Sequence, residues 1–307
     1  MNTMVRWLKF APVALALLAP AAGAQDGRGD VIYVPTPQVV VDEMLRMAKV
    51  GPNDYLIDLG SGDGRIVITA AKKFGARGFG VDLDTVLLKM ANENAKKEGV
   101  SDRARFVEQN LFETDLGSAT VITTYLLPEM NIRLRPKLLS LKPGTRVVAH
   151  DYAMEEWTPD DEKTLIVPEK TVGDPGKSYI FFWIVPARVA GRWESQLPVA
   201  GRAMTYEFNF EQHFQLVTGR VRVGEGEAKV AQFRVNGEQL SFNLSATIGG
   251  ATVTHRFRGW VKGDAIEGTV TIGEGSGQRV MPWRAKQTAR GEMQMGAAGA
   301  AVARVAP

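Results

Sequence analysis

The sequence contains no cysteine among its 307 residues. That excludes disulfides, thiolate zinc sites and a cysteine nucleophile. It leaves the compartment open, because a chain of this length can bury a sufficient core without cross-links. Histidine is nearly as scarce. His150, His213 and His255 are the three present, too far apart in sequence for a ligand motif, so no metal is expected. A strong charge of either sign is also missing: 37 Lys and Arg stand against 34 Asp and Glu. Taking Arg6 and Lys9 from the 37 leaves 35 bases against 34 acids in the rest of the chain. Such a balance argues against a dedicated nucleic-acid binder. Hydrophobic residues at 45% and charged residues at 23% are ordinary for a globular protein, and the length allows about two domains.

The N-terminus reads as a leader. Arg6 and Lys9 precede the apolar run Ala11 to Leu18, and Ala22-Gly23-Ala24 supplies small residues before Gln25. This is the pattern of a secretory signal peptide over residues 1–24, the alternative being an uncleaved anchor. The expected location is therefore periplasmic or secreted, and no other stretch looks transmembrane.

The remainder divides near Pro186-Ala187-Arg188. Residues 25–186 alternate helix-period and strand-like segments, the pattern of an α/β sheet. Residues 191–288 show short strands with period two, as in Tyr206, Phe208 and Phe210. Asn236-Gly237 and Lys262-Gly263-Asp264 supply hairpin turns. Seven or eight such strands predict a small antiparallel β-barrel or sandwich, whose aromatics read as core and whose surface could contact a partner or another subunit. Residues 289–307 read as an Ala/Gly-rich flexible tail.

Within the first half, Thr36-Pro37 reads as an N-cap and first residue of a helix burying Val40, Met44, Leu45 and Met47. Tyr55 to Leu59 is a strand, and Gly60-Ser61-Gly62-Asp63-Gly64 turns it into the next helix. Three glycines spaced by two suit a tight turn with a ligand lying on bare backbone. Amides at the following helix N-terminus favour an anion or carboxylate, while Asp58 and Asp63 suit a ligand that also carries a cation. Asp82 lies at the end of the second strand, where a carboxylate can accept from both hydroxyls of a ribose. The spacing differs from the G-x-G-x-x-G of dinucleotide sites. Lys72-Lys73 and Lys96-Lys97 read as solvated helix faces, Trp157 as cover for the core edge, and His150 as a surface histidine.

Ile57-Asp58-Leu59-Gly60-Ser61-Gly62-Asp63-Gly64 resembles the first motif of class I S-adenosylmethionine-dependent methyltransferases. Gly80-Val81-Asp82 is similar to their ribose-binding motif, and Gln109-Asn110-Leu111-Phe112 falls where that class contacts adenine, with Asn110 in place of the usual Asp. Tyr33-Val34-Pro35-Thr36-Pro37, the Asp-Gly-Arg at 63–65 and Thr124-Tyr125-Leu126-Leu127-Pro128 resemble small protein-lysine methyltransferases of the ATP synthase c-subunit and adenine nucleotide translocase type. The resemblance covers about residues 33–185. It implies a Rossmann-like sheet, parallel with a terminal antiparallel hairpin, and S-adenosyl-L-methionine as cofactor. It implies methyl transfer to an amine acceptor, a protein lysine foremost. An exported binding or sensing protein for a nucleotide-like ligand, without catalysis, is the alternative.

By the same resemblance Gly60, Ser61, Gly62, Asp63 and Gly64 receive the methionine moiety, and Asp58 orients its ammonium. Asp82 holds the ribose, and Asn110 and Leu111 flank the adenine. Tyr33 either closes over the cofactor or staples the first helix. Tyr125 and Pro128 stand where the class places acceptor-facing residues, although Tyr125 reads equally as a strand-end core residue. The run departs from the Asn/Asp-Pro-Pro-Tyr pattern, which counts against a DNA-base or glutamine acceptor.

Overall fold

The computed structural model describes residues 32–199 and 201–296. The leader expected at 1–24 and the end of the expected tail lie outside these residues. Helix α1 (Gln38–Met47) precedes β1 (Tyr55–Leu59), α2 (Arg65–Phe74), β2 (Arg77–Asp82), α3 (Thr85–Lys97) and β3 (Ala104–Glu108). There follow β4 (Val121–Thr124), α4 (Pro128–Leu138), β5 (Arg146–His150), β6 (Asp161–Ile166) and β7 (Lys177–Ile184). The strands form one sheet in the order β3-β2-β1-β4-β5-β7-β6. Strands β1 to β5 pair in parallel, and β7 inserts antiparallel between β5 and β6. This is the expected parallel sheet with a terminal antiparallel hairpin.

Local chemistry sets the element ends. Asp84 caps α3 by accepting from the Val86 and Leu87 N–H groups at 2.9 and 3.1 Å. Gly64 and Gly75 take left-handed backbone at the two ends of α2. Helix α4 starts at Pro128, because proline fits a first helical turn without a missed hydrogen bond. Helix α1 begins one residue later than expected. Pro37 is its N-cap, and the Thr36 hydroxyl lies instead 3.2 Å from His150 Nδ1. The apolar faces of α1, α2 and α3 bury Val40, Met44, Leu45, Ile66, Val67 and Leu88 against one side of the sheet.

The second unit is a closed barrel. It comprises β8 (Gly191–Val199), β9 (Arg202–His213), β10 (Leu216–Val223), β11 (Gly226–Asn236), β12 (Gln239–Ile248), β13 (Ala251–Lys262), β14 (Ala265–Ile272) and β15 (Arg279–Arg290). Each strand pairs antiparallel with the next, and β15 returns to β8. Eight strands leave an interior that side chains fill. Here Trp193, Tyr206, Phe208, Phe210, Phe242, Phe257 and Trp283 fill it. The barrel runs past the boundary expected at 288. Strand β15 continues to Arg290, and β16 (Met293–Gln294) pairs in parallel with the end of β9.

The barrel is seated on the α/β unit through Phe214, in the β9–β10 turn. Its ring stacks on Trp157 at 6.3 Å, and the Arg135 guanidinium of α4 lies 5.3 Å from its centre. Buried Arg135 also donates to the carbonyls of Met154 and Met295, each at 3.0 Å. Trp157 is thus a fully buried part of the joint between the units, not an edge cover.

Candidate functional site

In open α/β sheets, ligands bind beyond the carboxyl ends of the strands where the strand order reverses. Here β1 stands between β2 and β4, and a cavity opens at that point. Asp58, Gly60, Ser61 and Asp63 line it from β1 and the turn behind it, and Asp82 and Asp84 from the end of β2. Asn110 and Leu111 follow β3, Tyr125 and Leu126 follow β4, and Tyr33 comes from the segment before α1.

The carboxylates dominate its chemistry. Asp58 is buried, and its Oδ1 accepts from Thr123 Oγ1 on the neighbouring strand at 2.7 Å. Burial raises its pKa to about 7, with Asp82 and Asp63 adding to the rise and the Thr123 bond opposing it. Asp82 organises the turn: Oδ2 accepts from the Gly62 N–H at 2.9 Å and Oδ1 from the Asp84 N–H at 3.0 Å. Burial alone would raise the Asp63 carboxyl, but bonds from the Arg65 guanidinium hold it below the usual range. Arg65 Nη1 also donates to the Thr36 carbonyl at 2.8 Å, tying the segment before α1 to the turn. The Tyr33 phenol is pushed up to about 12 by burial and by Asp63.

A cavity holding Asp58 at a depressed tendency to ionise, beside two further carboxylates, fits a ligand bearing positive charge. Ser61 lines the cavity, while its hydroxyl is buried against Gly80 of β2 without a hydrogen-bond partner.

The glycines divide their work differently from the expectation. Only Gly60 lines the cavity. A Cβ on Gly62 would stand 2.3 Å from Tyr33 Cε2, and one on Gly64 would stand 2.5 Å from Phe106 Cζ. Gly62 therefore admits the Tyr33 ring and Gly64 the packing of α2 on the sheet; neither leaves open space for a ligand. Pro128 likewise does not reach the wall; it starts α4, and Leu126 lines the cavity in its place. The Asn110 side chain shapes its own turn, Oδ1 accepting from the Phe112 N–H at 3.0 Å.

Sequence patterns do not mark Thr123, which only strand register places beside Asp58. They also miss Arg133, whose guanidinium lies 3.8 Å from the centre of the Phe112 ring at the same mouth. His150 is fully buried, not at the surface. Burial lowers its pKa to about 4 against the opposing effect of Asp151. Among the described residues, no helix is long and apolar enough to cross a membrane.

Fold and cavity together define a class I methyltransferase. Residues 58–161 match the ANTKMT methyltransferase domain. A protein-lysine N-methyltransferase of Saccharolobus islandicus is 48% identical over 133 residues, spanning 43% of this chain and 83% of that protein. The mouse lysine N-methyltransferase of the ATP synthase c-subunit is 35% identical over 131 residues, spanning 42% of this chain and 51% of that protein. The chain thus spans about half the length of the mouse relative. A solved RNA methyltransferase from Salinibacter ruber, in complex with S-adenosyl-L-homocysteine, is 47% identical. That match covers 51% of this chain and 96% of the other, at a TM-score of 0.46. The chain belongs to the ANTKMT methyltransferase family. It is an enzyme, and S-adenosyl-L-methionine is the cofactor that its family and its acidic cavity call for.

Proposed function

We propose that the protein methylates an amine, and specifically a lysine side chain of another protein. The observation that carries this is the convergence of Asp58, Ser61 and Asp82 on one cavity within a methyltransferase domain. The lysine methyltransferase activities of the relatives in Saccharolobus islandicus and mouse support the lysine acceptor.

When bound, the cofactor supplies a methyl group made electrophilic by a sulfonium. The protein need not supply strong acid catalysis; it must align the partners and exclude water. Asp58, pushed toward neutrality by burial, ionises against the cationic end of the donor. Asp82 keeps lone pairs beyond its two backbone bonds and accepts from the ribose hydroxyls. Gly60 brings bare backbone to the methionine moiety. Asn110 and Leu111 flank the base. Tyr33, packed on Gly62, closes the side of the cavity before α1. A lysine amine has a pKa of about 10.4 in water, and desolvation at the mouth favours the neutral, nucleophilic form.

The leader at 1–24 and the export it implies belong to the same proposal. The methyl donor would then have to reach the compartment in which the folded enzyme works. The methyltransferase domain at 25–186 carries the chemistry, and the barrel offers a contact surface to the protein substrate or to another copy of the chain.

Calorimetric titration with S-adenosyl-L-homocysteine tests the cavity. Saturable binding that disappears in Asp58→Leu is expected, and a folded protein that takes up none contradicts the assignment.

A further inference from the structure

The backbone departs from the ordinary at the end of β5. Asp151 has φ of 61°, in the left-handed region. The Tyr152 N–H donates to the His150 carbonyl at 2.8 Å across it. A two-residue bond closed around a positive φ is the tight, strained form of the γ-turn. Strain of this kind persists where the surroundings over-determine it, and it concentrates at functional sites.

The turn makes three consecutive side chains converge on Tyr125. The His150 ring lies 4.0 Å from the Tyr125 ring, centre to centre, and the Tyr152 ring stacks at 6.4 Å. Between them, Asp151 Oδ2 accepts the Tyr125 hydroxyl hydrogen at 3.1 Å. The Asp151 carboxylate is itself clamped. Lys170 Nζ lies 2.6 Å from Oδ2, and the Tyr179 N–H donates to Oδ1 at 3.1 Å. Both Asp151 and Lys170 side chains are buried. Asn131 Nδ2 of α4 donates to the Tyr152 carbonyl at 3.0 Å, so the turn is braced from α4 as well.

These contacts fix a direction. An ionised carboxylate only accepts, so the Tyr125 hydroxyl must donate to it. The phenol oxygen keeps its own acceptor capacity, and Tyr125 is on the cavity wall. We propose that Asp151 is a positioning residue for methyl transfer: it holds the Tyr125 hydroxyl so that the phenol oxygen faces the acceptor nitrogen as a hydrogen-bond acceptor. This rests on the amine acceptor proposed above. As the nitrogen lone pair forms the bond to the methyl carbon, the carbon–sulfur pair returns to sulfur. Positive charge grows on nitrogen, and its N–H groups bind the phenol oxygen more strongly than in the ground state. The methylated ammonium then loses a proton to solvent.

The test compares Tyr125→Phe, the double variant Asp151→Asn with Lys170→Met, and the triple variant, each against wild type. Removing Lys170 with Asp151 avoids leaving a buried unpaired charge. Tyr125→Phe should lower kcat about tenfold or more while donor affinity stays within about twofold. The double variant should show the same split, and the triple variant no further loss. A double variant with wild-type kcat, or a triple variant whose losses multiply, overturns the proposal.

A second readout keeps it decidable if the double variant turns over poorly for other reasons. In protein labelled with ¹³C at the tyrosine ζ carbon, the Tyr125 resonance should move in the double variant while the denaturation midpoint of the barrel stays put. An unmoved resonance means that Asp151 does not hold the hydroxyl. If wild type labels no lysine, the lysine assignment fails by itself. The Asp151 proposal is then judged by that resonance, and by the same kinetic split on whatever amine is methylated.

Discussion

The Tyr33 ring occupies the space that any side chain at Gly62 would need, Cε2 lying 2.3 Å from the position of a Cβ there. The backbone at Gly62 is also left-handed, with φ of 52°. Gly62→Ala should therefore push Tyr33 off the turn and strain the backbone by about 1–2 kcal/mol. Calorimetry should show weaker donor binding. Adding Tyr33→Ala should relieve the clash and leave the backbone strain, so the thermal midpoint should recover in part. No recovery would mean that the ring and the glycine are not coupled.

Asp82 bonds to the Gly62 and Asp84 N–H groups and keeps lone pairs for a ligand. Asp82→Ala removes a charge-assisted acceptor worth about 1.5–3 kcal/mol, so donor affinity should fall tenfold or more. Equal affinity for the variant and wild type, measured by titration, would take Asp82 out of the ribose site.

Two buried groups pull the pH dependence of stability in opposite directions. The Asp58 pKa is raised to about 7 in the fold, so the unfolded chain releases its proton first. Its contribution falls as pH rises from the ordinary carboxylate range to about 7. The His150 pKa is lowered to about 4, so its contribution is full above the ordinary imidazole value and is lost as pH falls toward 4. Without donor the two offset each other across this window. A cationic donor favours ionised Asp58 and removes that offset. Donor binding should thus tighten as pH rises toward 7, with proton release. The donor-bound protein should lose stability on acidification more steeply than the free protein. Denaturation midpoints against pH, with and without S-adenosyl-L-methionine, check this; parallel curves would contradict it.

Phe214 joins the units by packing between Trp157 and Arg135. Phe214→Ala should cost about 3–5 kcal/mol, as for other buried aromatics. The loss should appear in the denaturation of the α/β unit as well as the barrel. A normal midpoint for the α/β unit would show that the barrel is not needed to hold α4.

The glycine turn, the acids at the ends of β1 and β2, and the alternation of Tyr206, Phe208 and Phe210 are legible because each is a local pattern with one physical meaning. Strand β6 is harder to place. Asp161, Glu162 and Lys163 are exposed on a sheet edge, where a strand needs no apolar face and charge discourages further pairing. The left-handed Asp151, its clamp by Lys170 and the seat of Phe214 depend on contacts between residues distant in sequence, which no periodicity reports. His150 differs between sequence and structure for a related reason. The run Val147 to Ala149 signals a strand buried on both faces, but only the fold brings Thr36 and Ser178 to the two ring nitrogens.

The most direct test of the central claim is transfer of tritiated methyl from S-adenosyl-L-methionine into an envelope extract, followed by hydrolysis and amino-acid separation. Label should appear in methylated lysine with the wild-type protein and fall at least about tenfold with Asp82→Ala. Label recovered in RNA, or donor binding with no labelled lysine, would contradict it.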